Sequence, residues 1–461
     1  MTPTFTNLRD KHPALHYRGH TLARSGEELV ATFHIDLEPG IEFRPTLTFT
    51  APNVSDKELE PYLTHIGLVE LISYWKAACP KGVIIEGYTL SDAQRAWWQD
   101  LFLHGLGEFF FVNKIDPSIP DLLTLASRGD RSIQFSEAPT KPTAHRELVL
   151  AAGGKDSSLA LEMLKAFDPS RERLTMILNP SRSARESAQI AAYPDPIIVR
   201  RTIDPKLLAL NAQGYLNGHT PFSAYLAFLS IMIARIQGCS SVIVANERSA
   251  SEENTVFHGL PVNHQYSKSV RFERRFREYA STNLPGSASY YSIIRPLYDL
   301  QVSALFAKLA PRHLASFRSC NVGQKNDQWC GACPKCAFVY TTLAPFISQE
   351  QRLAIFGKEL FENAAIIRAL EELTGIRDHK PLECVGTLSE SRDALVLTLA
   401  RYEREGLAAP VGLVSIAQAL RDRGDLPALA AAQATLTAWT EDHELPPLYA
   451  EKLRALLTEV A

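Results

Sequence analysis

Long apolar runs are missing from this chain. The longest, such as Leu226–Ala234, fall well short of the roughly 20 residues that cross a bilayer, so no membrane partner is expected. A charge excess of one sign is missing too. Lys and Arg number 48 against 51 Asp and Glu, a net charge of −3, and no basic stripe stands out, which argues against nucleic acid. Cysteine is scarce: seven in 461 residues, four of them between Cys320 and Cys336. Such crowding suits a metal knot rather than a disulfide framework. The first residues include Arg9, Asp10 and Lys11 but no apolar core, so no signal peptide is expected and the cytoplasm is the expected location. Internal repeats and low-complexity tracts are absent. What is present, 46% hydrophobic and 21% charged residues, describes a globular protein long enough for two or three domains.

The pattern along the chain changes twice. Leu29, Ala31, Phe33, Ile35 and Leu37 alternate with polar residues, and Ile41 and Phe43 continue the alternation past Pro39-Gly40, which predicts antiparallel strands or a hairpin. A helix through His65–Lys76, a strand at Val83–Ile85, a helix over Asp92–Leu103 and a turn at Gly105–Phe109 complete an α+β region over 1–140. Ser136–His145, with Pro139 and Pro142, reads as a linker. Strands at Leu148–Ala151, Leu174–Leu178, Ile197–Arg200 and Ser241–Ala245 then alternate with helices at Ser158–Phe167, Arg182–Ala192 and Pro221–Gln237. That rhythm predicts an α/β domain over 146–345, a central parallel sheet flanked by helices. Residues 346–461 show helical spacing rich in Ala and Leu, and predict an all-helical region whose role is packing.

Leu148–Leu159 is the most informative stretch. A buried strand runs into Gly153-Gly154, and Lys155-Asp156-Ser157-Ser158 opens a helix. A helix N-terminus offers free N–H groups and a partial positive charge, a natural cradle for phosphate, and glycines let backbone approach it closely. The spacing is not that of the Gly-x-x-x-x-Gly-Lys-Ser/Thr loop. An ordinary βα turn is the bland alternative. The stretch resembles the Ser-Gly-Gly-x-Asp-Ser loop of ATP pyrophosphatases, with Ala152 in place of the first serine. That resemblance implies the adenine-nucleotide alpha-hydrolase type of sheet and an enzyme that adenylates a substrate oxygen. Gly153, Gly154, Lys155, Asp156, Ser157 and Ser158 would hold ATP, with Asp156 helping to place Mg²⁺.

Cys320, Cys330, Cys333 and Cys336 have spacing that suits a tetrahedral structural zinc, reduced free thiols being the alternative. A similar knot follows the ATP domain of 7-cyano-7-deazaguanine synthases, which keeps an ATP-dependent ligase or amide-forming synthase in contention. Between loop and knot lie polar blocks at Asn217–Ser223, Asn246–Ser249 and Val262–Ser269. The second should emerge at the carboxyl end of a parallel strand, where open sheets bind ligands. His219 and His264 are the natural proton carriers, with Glu247, Lys268 or a cysteine as substitutes. Arg248, Arg295, Asn246 and Asn263 are candidate substrate contacts; singly, each serves equally well as a surface or capping residue. Trp75, Trp97 and Trp98 read as core, and Lys76, Glu108 and Asn113 as either substrate contacts or a solvated face.

Together, Gly67–Lys76, Gly105–Phe109, Gly153–Ser157, Asn217–Ala224, Asn246–Ala250, Val262–Ser269 and Trp329–Cys336 resemble the UDP-N-acetylmuramoyl-L-alanyl-L-glutamate epimerases (MurL) of peptidoglycan synthesis. The resemblance spans about residues 55 to 345. It implies epimerisation of the terminal L-Glu of UDP-MurNAc-L-Ala-L-Glu, with ATP and Mg²⁺, through an acyl-adenylate. The partner is then a small molecule; the oligomeric state stays open.

Overall fold

The computed structural model describes residues 4–133, 143–284, 286–323 and 326–459. Its framework is one sheet of eleven strands: β1 (Ala14–Ser25), β2 (Glu28–Leu37), β3 (Ile41–Phe43), β4 (Thr46–Thr50), β5 (Gly82–Thr89), β6 (Thr124–Ser132), β7 (Thr143–Leu150), β8 (Glu172–Leu178), β9 (Ile197–Thr202), β10 (Cys239–Val244) and, beyond a small hairpin of β11 (Thr255–Phe257) and β12 (Leu260–Val262), β13 (Ser289–Ser292). The order is β13-β10-β7-β8-β9-β4-β2-β1-β5-β6, with β3 beside β2. The expected hairpin is β2 with β3, and β2 alternates buried and less buried residues along its length. Strands β13 to β9 are mutually parallel, as the strand–helix rhythm predicts.

The sheet does not stop at the expected boundary near residue 140. β4 pairs antiparallel with β9, setting Thr46 opposite Thr202 and Thr48 opposite Arg200, so the first and middle regions share one hydrogen-bonded ladder. The expected linker falls largely outside the described residues, and β7 already starts at Thr143.

Successive residues of the parallel strands enter two different cores. Leu148, Met176, Val242 and Tyr290 join the cluster that holds the N-terminal strands and the helices Asp56–Trp75 and Phe222–Ile236. Their neighbours Val149, Ile177, Ile243 and Tyr291 join the cluster under Lys155–Phe167, Asp299–Leu309, Pro334–Leu343 and the C-terminal helices. A sheet covered on both faces needs apolar side chains at every position, which is why these strands read as continuous apolar runs. Trp75 and Trp98 lie in the first core as expected, their indole N–H groups donating to the Pro80 carbonyl and the Tyr279 hydroxyl.

Two local expectations need correction. The turn at Gly105–Phe109 is instead the junction of two helices, Asp92–Gly105 and Gly107–Asn113. The C-terminal region is largely helical, but between helices Ala364–Leu373 and Leu388–Arg404 the chain leaves the helix. Pro381 and Gly386 sit in that break, where neither residue favours a helix.

Candidate active site

β7 delivers the Gly-Gly loop to the carboxyl edge of the parallel strands, and the helix Lys155–Phe167 leaves from it with Gly154 as N-cap. Gly153 has φ +76°, and a Cβ there would lie 2.4 Å from the Ala184 nitrogen, so both conformation and space demand glycine. Arg318 N–H donates to the Gly153 carbonyl at 2.9 Å, and Lys155 N–H donates to Ser319 Oγ at 3.5 Å. The segment that leads into Cys320 thus buttresses the loop. Ser157 Oγ accepts from Ala152 N–H at 3.3 Å. Ser158 is buried, its hydroxyl donating to the Gly154 carbonyl and paired with Ser187, so it shapes the turn from inside. A cleft of about 750 Å³ opens beside the loop, lined among others by Ala152, Asn179, Arg182 and Phe222.

Charges converge behind the loop. Lys155 is buried and bridges Asp156 at 2.6 Å and Asp299 at 2.8 Å. Burial disfavours its ammonium, yet the two carboxylates outweigh this and raise it. Burial likewise opposes ionisation of Asp156, while Lys155, Lys335 and Lys268 together hold its carboxyl low. Glu247 is pushed the other way, by burial and then by the charges of Asp156 and Asp299. Asp299 Oδ2 is buried without a hydrogen-bond partner. Three crowded carboxylates with an orphaned oxygen are a donor set of the hard, anionic kind that Mg²⁺ takes.

The second half of the site is assembled from five segments. His219 lies in the loop before the helix Phe222–Ile236, and its ring centre is 4.2 Å from that of His264. Glu108, on the helix Gly107–Asn113, is paired with His264 Nδ1. One donor atom from each of Glu108, His219 and His264 lies within 4.8 Å of the others. Lys76 donates to Asn217 Oδ1 at 3.2 Å and to the Gly218 carbonyl, and Asn113 donates to the Asn217 carbonyl at 3.0 Å. Lys76, Glu108 and Asn113 therefore belong to the site rather than to a solvated face.

The fifth segment is the break in the C-terminal helices, which carries Cys384. Lys268 donates to Cys384 Sγ at 3.5 Å, and His264 is hydrogen-bonded to the same sulfur. Burial opposes the His264 charge, but Cys384 and Glu108 outweigh it and lift the imidazole to about 9. Burial, with the charges of His264, Lys76 and Lys268, drops His219 to about 3. For Cys384, burial favours the thiol, but Lys268 and His264 bring it down to about 6. Lys268 faces both halves, since Cys384, Glu247 and Asp156 all raise it against its burial.

The remaining expected contacts lie elsewhere. Arg295 is buried, gripping Glu273 at 2.7 and 3.1 Å and the Glu247 carbonyl at 2.9 Å. Asn263 bridges the Ala250 carbonyl and Gln265 N–H, and Asn246 exchanges backbone hydrogen bonds with Ser292 Oγ. Arg248 lies over the Tyr298 ring, 4.5 Å from its centre, beside a separate hollow of about 250 Å³. These four build the framework in which Glu247 sits. Sequence reasoning passed over Asp299 and Lys335, and read the segment of Cys384 as packing. The Pro and Gly that interrupt the helical spacing were the available signal.

The four clustered cysteines keep free thiols, with Cys320 to Cys333 at 3.9 Å and Cys330 to Cys336 at 3.7 Å between sulfurs. Zn–S bonds of about 2.3 Å in a tetrahedron place sulfurs about 3.8 Å apart, so the knot has the dimensions of a zinc site. Gly323 N–H points at Cys320 Sγ at 3.1 Å, as at a thiolate.

Fold and site define an α/β protein in which a Gly-Gly loop at a helix N-terminus adjoins a cluster of ionisable side chains. The MurL N-terminal domain model matches residues 6–293 and the MurL C-terminal domain model residues 316–424. A protein of Xanthomonas oryzae pv. oryzae (strain MAFF 311018) is 31% identical over 457 residues, 97% of this chain and 98% of its own. One of Micromonospora sp. (strain ATCC 39149 / NRRL 15099 / SCC 1413) is 33% identical, covering 83% of each chain. Another, of Salinispora tropica, is 32% identical over 76% of this chain and 77% of its own. All three are named UDP-N-acetyl-alpha-D-muramoyl-L-alanyl-L-glutamate epimerase. The chain belongs to the MurL family, a family of epimerases. No solved structure matches it. Among the described residues no helix is long and apolar enough to cross a membrane.

Proposed function

We propose that this chain converts the terminal L-glutamate of UDP-MurNAc-L-Ala-L-Glu to D-glutamate at the expense of ATP, as a step in peptidoglycan precursor synthesis. The observation that carries this reading is the junction at Lys268, which faces the Asp156–Glu247 carboxylates on one side and Cys384 on the other. A phosphate cradle and a proton-transfer cluster sharing one cation suit a reaction that activates a carboxyl and then moves a proton beside it.

The chemistry explains why both halves are needed. Removing the Cα proton next to a free carboxylate would load a second negative charge onto an anionic group. Attack of that carboxylate on the α-phosphate of ATP, with loss of pyrophosphate, gives an acyl-adenylate in which the Cα–H is far more acidic. Gly153 and Gly154 would let the phosphates approach the helix N-terminus, and Lys335 and Lys268 would offset charge that develops there. Asp156, Glu247 and Asp299 would hold Mg²⁺, which when bound draws the phosphate oxygens together and neutralises them. The proton would be taken and returned by groups of the cluster that holds His219, His264, Lys268 and Cys384. Hydrolysis then releases AMP and the epimer. The cysteine knot would hold one structural zinc.

The test is an incubation with UDP-MurNAc-L-Ala-L-Glu, ATP and Mg²⁺ in D₂O, followed by chiral separation and mass spectrometry of the released glutamate. D-Glutamate carrying deuterium at Cα, formed with AMP and pyrophosphate, is the expected result. AMP formation without D-glutamate would retain the adenylating loop and reject the epimerase.

A further inference from the structure

An epimerase that works by proton transfer needs one group to take the Cα proton from one face and another to supply a proton to the opposite face. His219 and His264 are the imidazoles at hand, but they are badly placed as such a pair. Their rings lie side by side, with centres 4.2 Å apart, too close for a substrate carbon to lie between them. His264 is also engaged twice over, by Glu108 at Nδ1 and by the sulfur of Cys384. It is built to pass protons rather than to meet a substrate.

Cys384 has what His264 lacks. It is partly exposed, and its sulfur receives a hydrogen bond from the half-buried Lys268 as well as one from His264. The backbone around it is fixed from outside its own segment. Asn254 donates to the Pro381 carbonyl at 2.8 Å, Gln265 donates to the Val385 carbonyl at 3.1 Å, and Lys380 pairs with Glu252 at 2.9 Å. A thiol held by three tethers against a lysine and a histidine is more than packing requires.

We propose that Cys384 is one of the two proton carriers of the epimerisation, that His219 is the other, and that His264 returns the proton between them. The inference rests on the epimerase reading above. In the resting site the Cys384–His264 pair carries one transferable proton, as thiolate and imidazolium, and His219 is a neutral imidazole. His219 takes the Cα proton and becomes an imidazolium, while the C–H electron pair moves into the enolate of the activated carboxyl. Cys384, protonated from His264, then gives its S–H proton to the other face of Cα and is left as a thiolate beside neutral His264. Transfer from His219 to the adjacent His264 restores the starting state, with no net change of protons or charge. The same steps reversed carry the D-epimer back.

The proposal is tested with full-length Cys384→Ala, Cys384→Ser and His219→Asn beside the wild type. Each receives the L- or the D-epimer of the muramoyl dipeptide with ATP and Mg²⁺ in D₂O. Substrate-dependent exchange of labelled pyrophosphate into ATP is followed in parallel as a readout of adenylation alone. Epimerisation should fall at least 1,000-fold in all three variants, with pyrophosphate exchange within threefold of wild type. Cα deuterium exchange should survive with one epimer only in the Cys384 variants and with the opposite epimer in His219→Asn. Epimerisation within tenfold of wild type in Cys384→Ala would overturn the assignment. So would loss of pyrophosphate exchange in both Cys384 variants, which would make the residue structural. A wild type that adenylates but forms no D-glutamate would fail the epimerase reading itself, and this inference with it.

Discussion

The Gly153–Asp156 turn takes its form from one continuous stretch of chain, whereas the row His219–His264–Cys384 is gathered from segments over 160 residues apart. The turn answers to local rules: a positive φ, a free helix end, a small residue where backbone comes close. The row depends on tertiary packing alone, since no local rule brings Cys384 to His264. Their charges differ as well. Around the turn, Lys155, Lys268 and Lys335 face Asp156, Glu247 and Asp299 and nearly cancel them. In the row, neighbouring groups are driven in opposite directions, one imidazole up and the other down, the arrangement that separates a donor from an acceptor.

Breaking the first half should leave nothing for the second to act on. Asp156→Asn removes a carboxylate from the cation set and a partner of Lys155, so AMP formation and epimerisation should both fall by about 1,000-fold. An unchanged circular dichroism spectrum would show the fold intact. Treatment with a zinc chelator, or Cys333→Ser, should loosen Ser319, which precedes the knot, and Lys335, which lies within it, both of which act on the loop. A loss of about 10- to 100-fold in AMP formation is expected, with a lower melting temperature and loss of one metal per chain by elemental analysis. The smallest effect sharpens the second half. Glu108→Gln removes one of the two groups, with Cys384, that hold His264 near 9 against its burial, Glu383 lying farther out and His219 neutral in that range. The His264 proton should then be lost at lower pH, and the alkaline limb of kcat should move down by about one unit, while pyrophosphate exchange keeps its profile.

The same contrast decides how much was legible beforehand. Alternating apolar residues, capped helices and the strand–glycine–helix signature are local, and they placed β2, β7, β8 and the loop within a few residues. The pairing of β4 with β9 left no mark, because Thr46–Thr50 is an ordinary short strand and its partner lies far along the chain. Arg295 was expected at the substrate because its type suits carboxylates; the fold supplies that carboxylate internally, from Glu273. Cys384 escaped notice for the converse reason. A lone cysteine acquires chemistry only from its neighbours, and these come from residues 264, 268 and 335.

The ladder between β4 and β9 also sets an order of events during synthesis. β4 ends at Thr50, but its partner residues run to Thr202. β1, β2 and β4 can pair with one another early, but the outer edge of β4 stays uncovered until the middle of the chain has emerged. Contacts so distant in sequence slow the search for the native state, and an uncovered strand edge invites pairing with another copy. A shortened chain ending near residue 140 would carry that edge permanently. One edge of the N-terminal strands is thus closed late, by residues more than 150 positions along the chain.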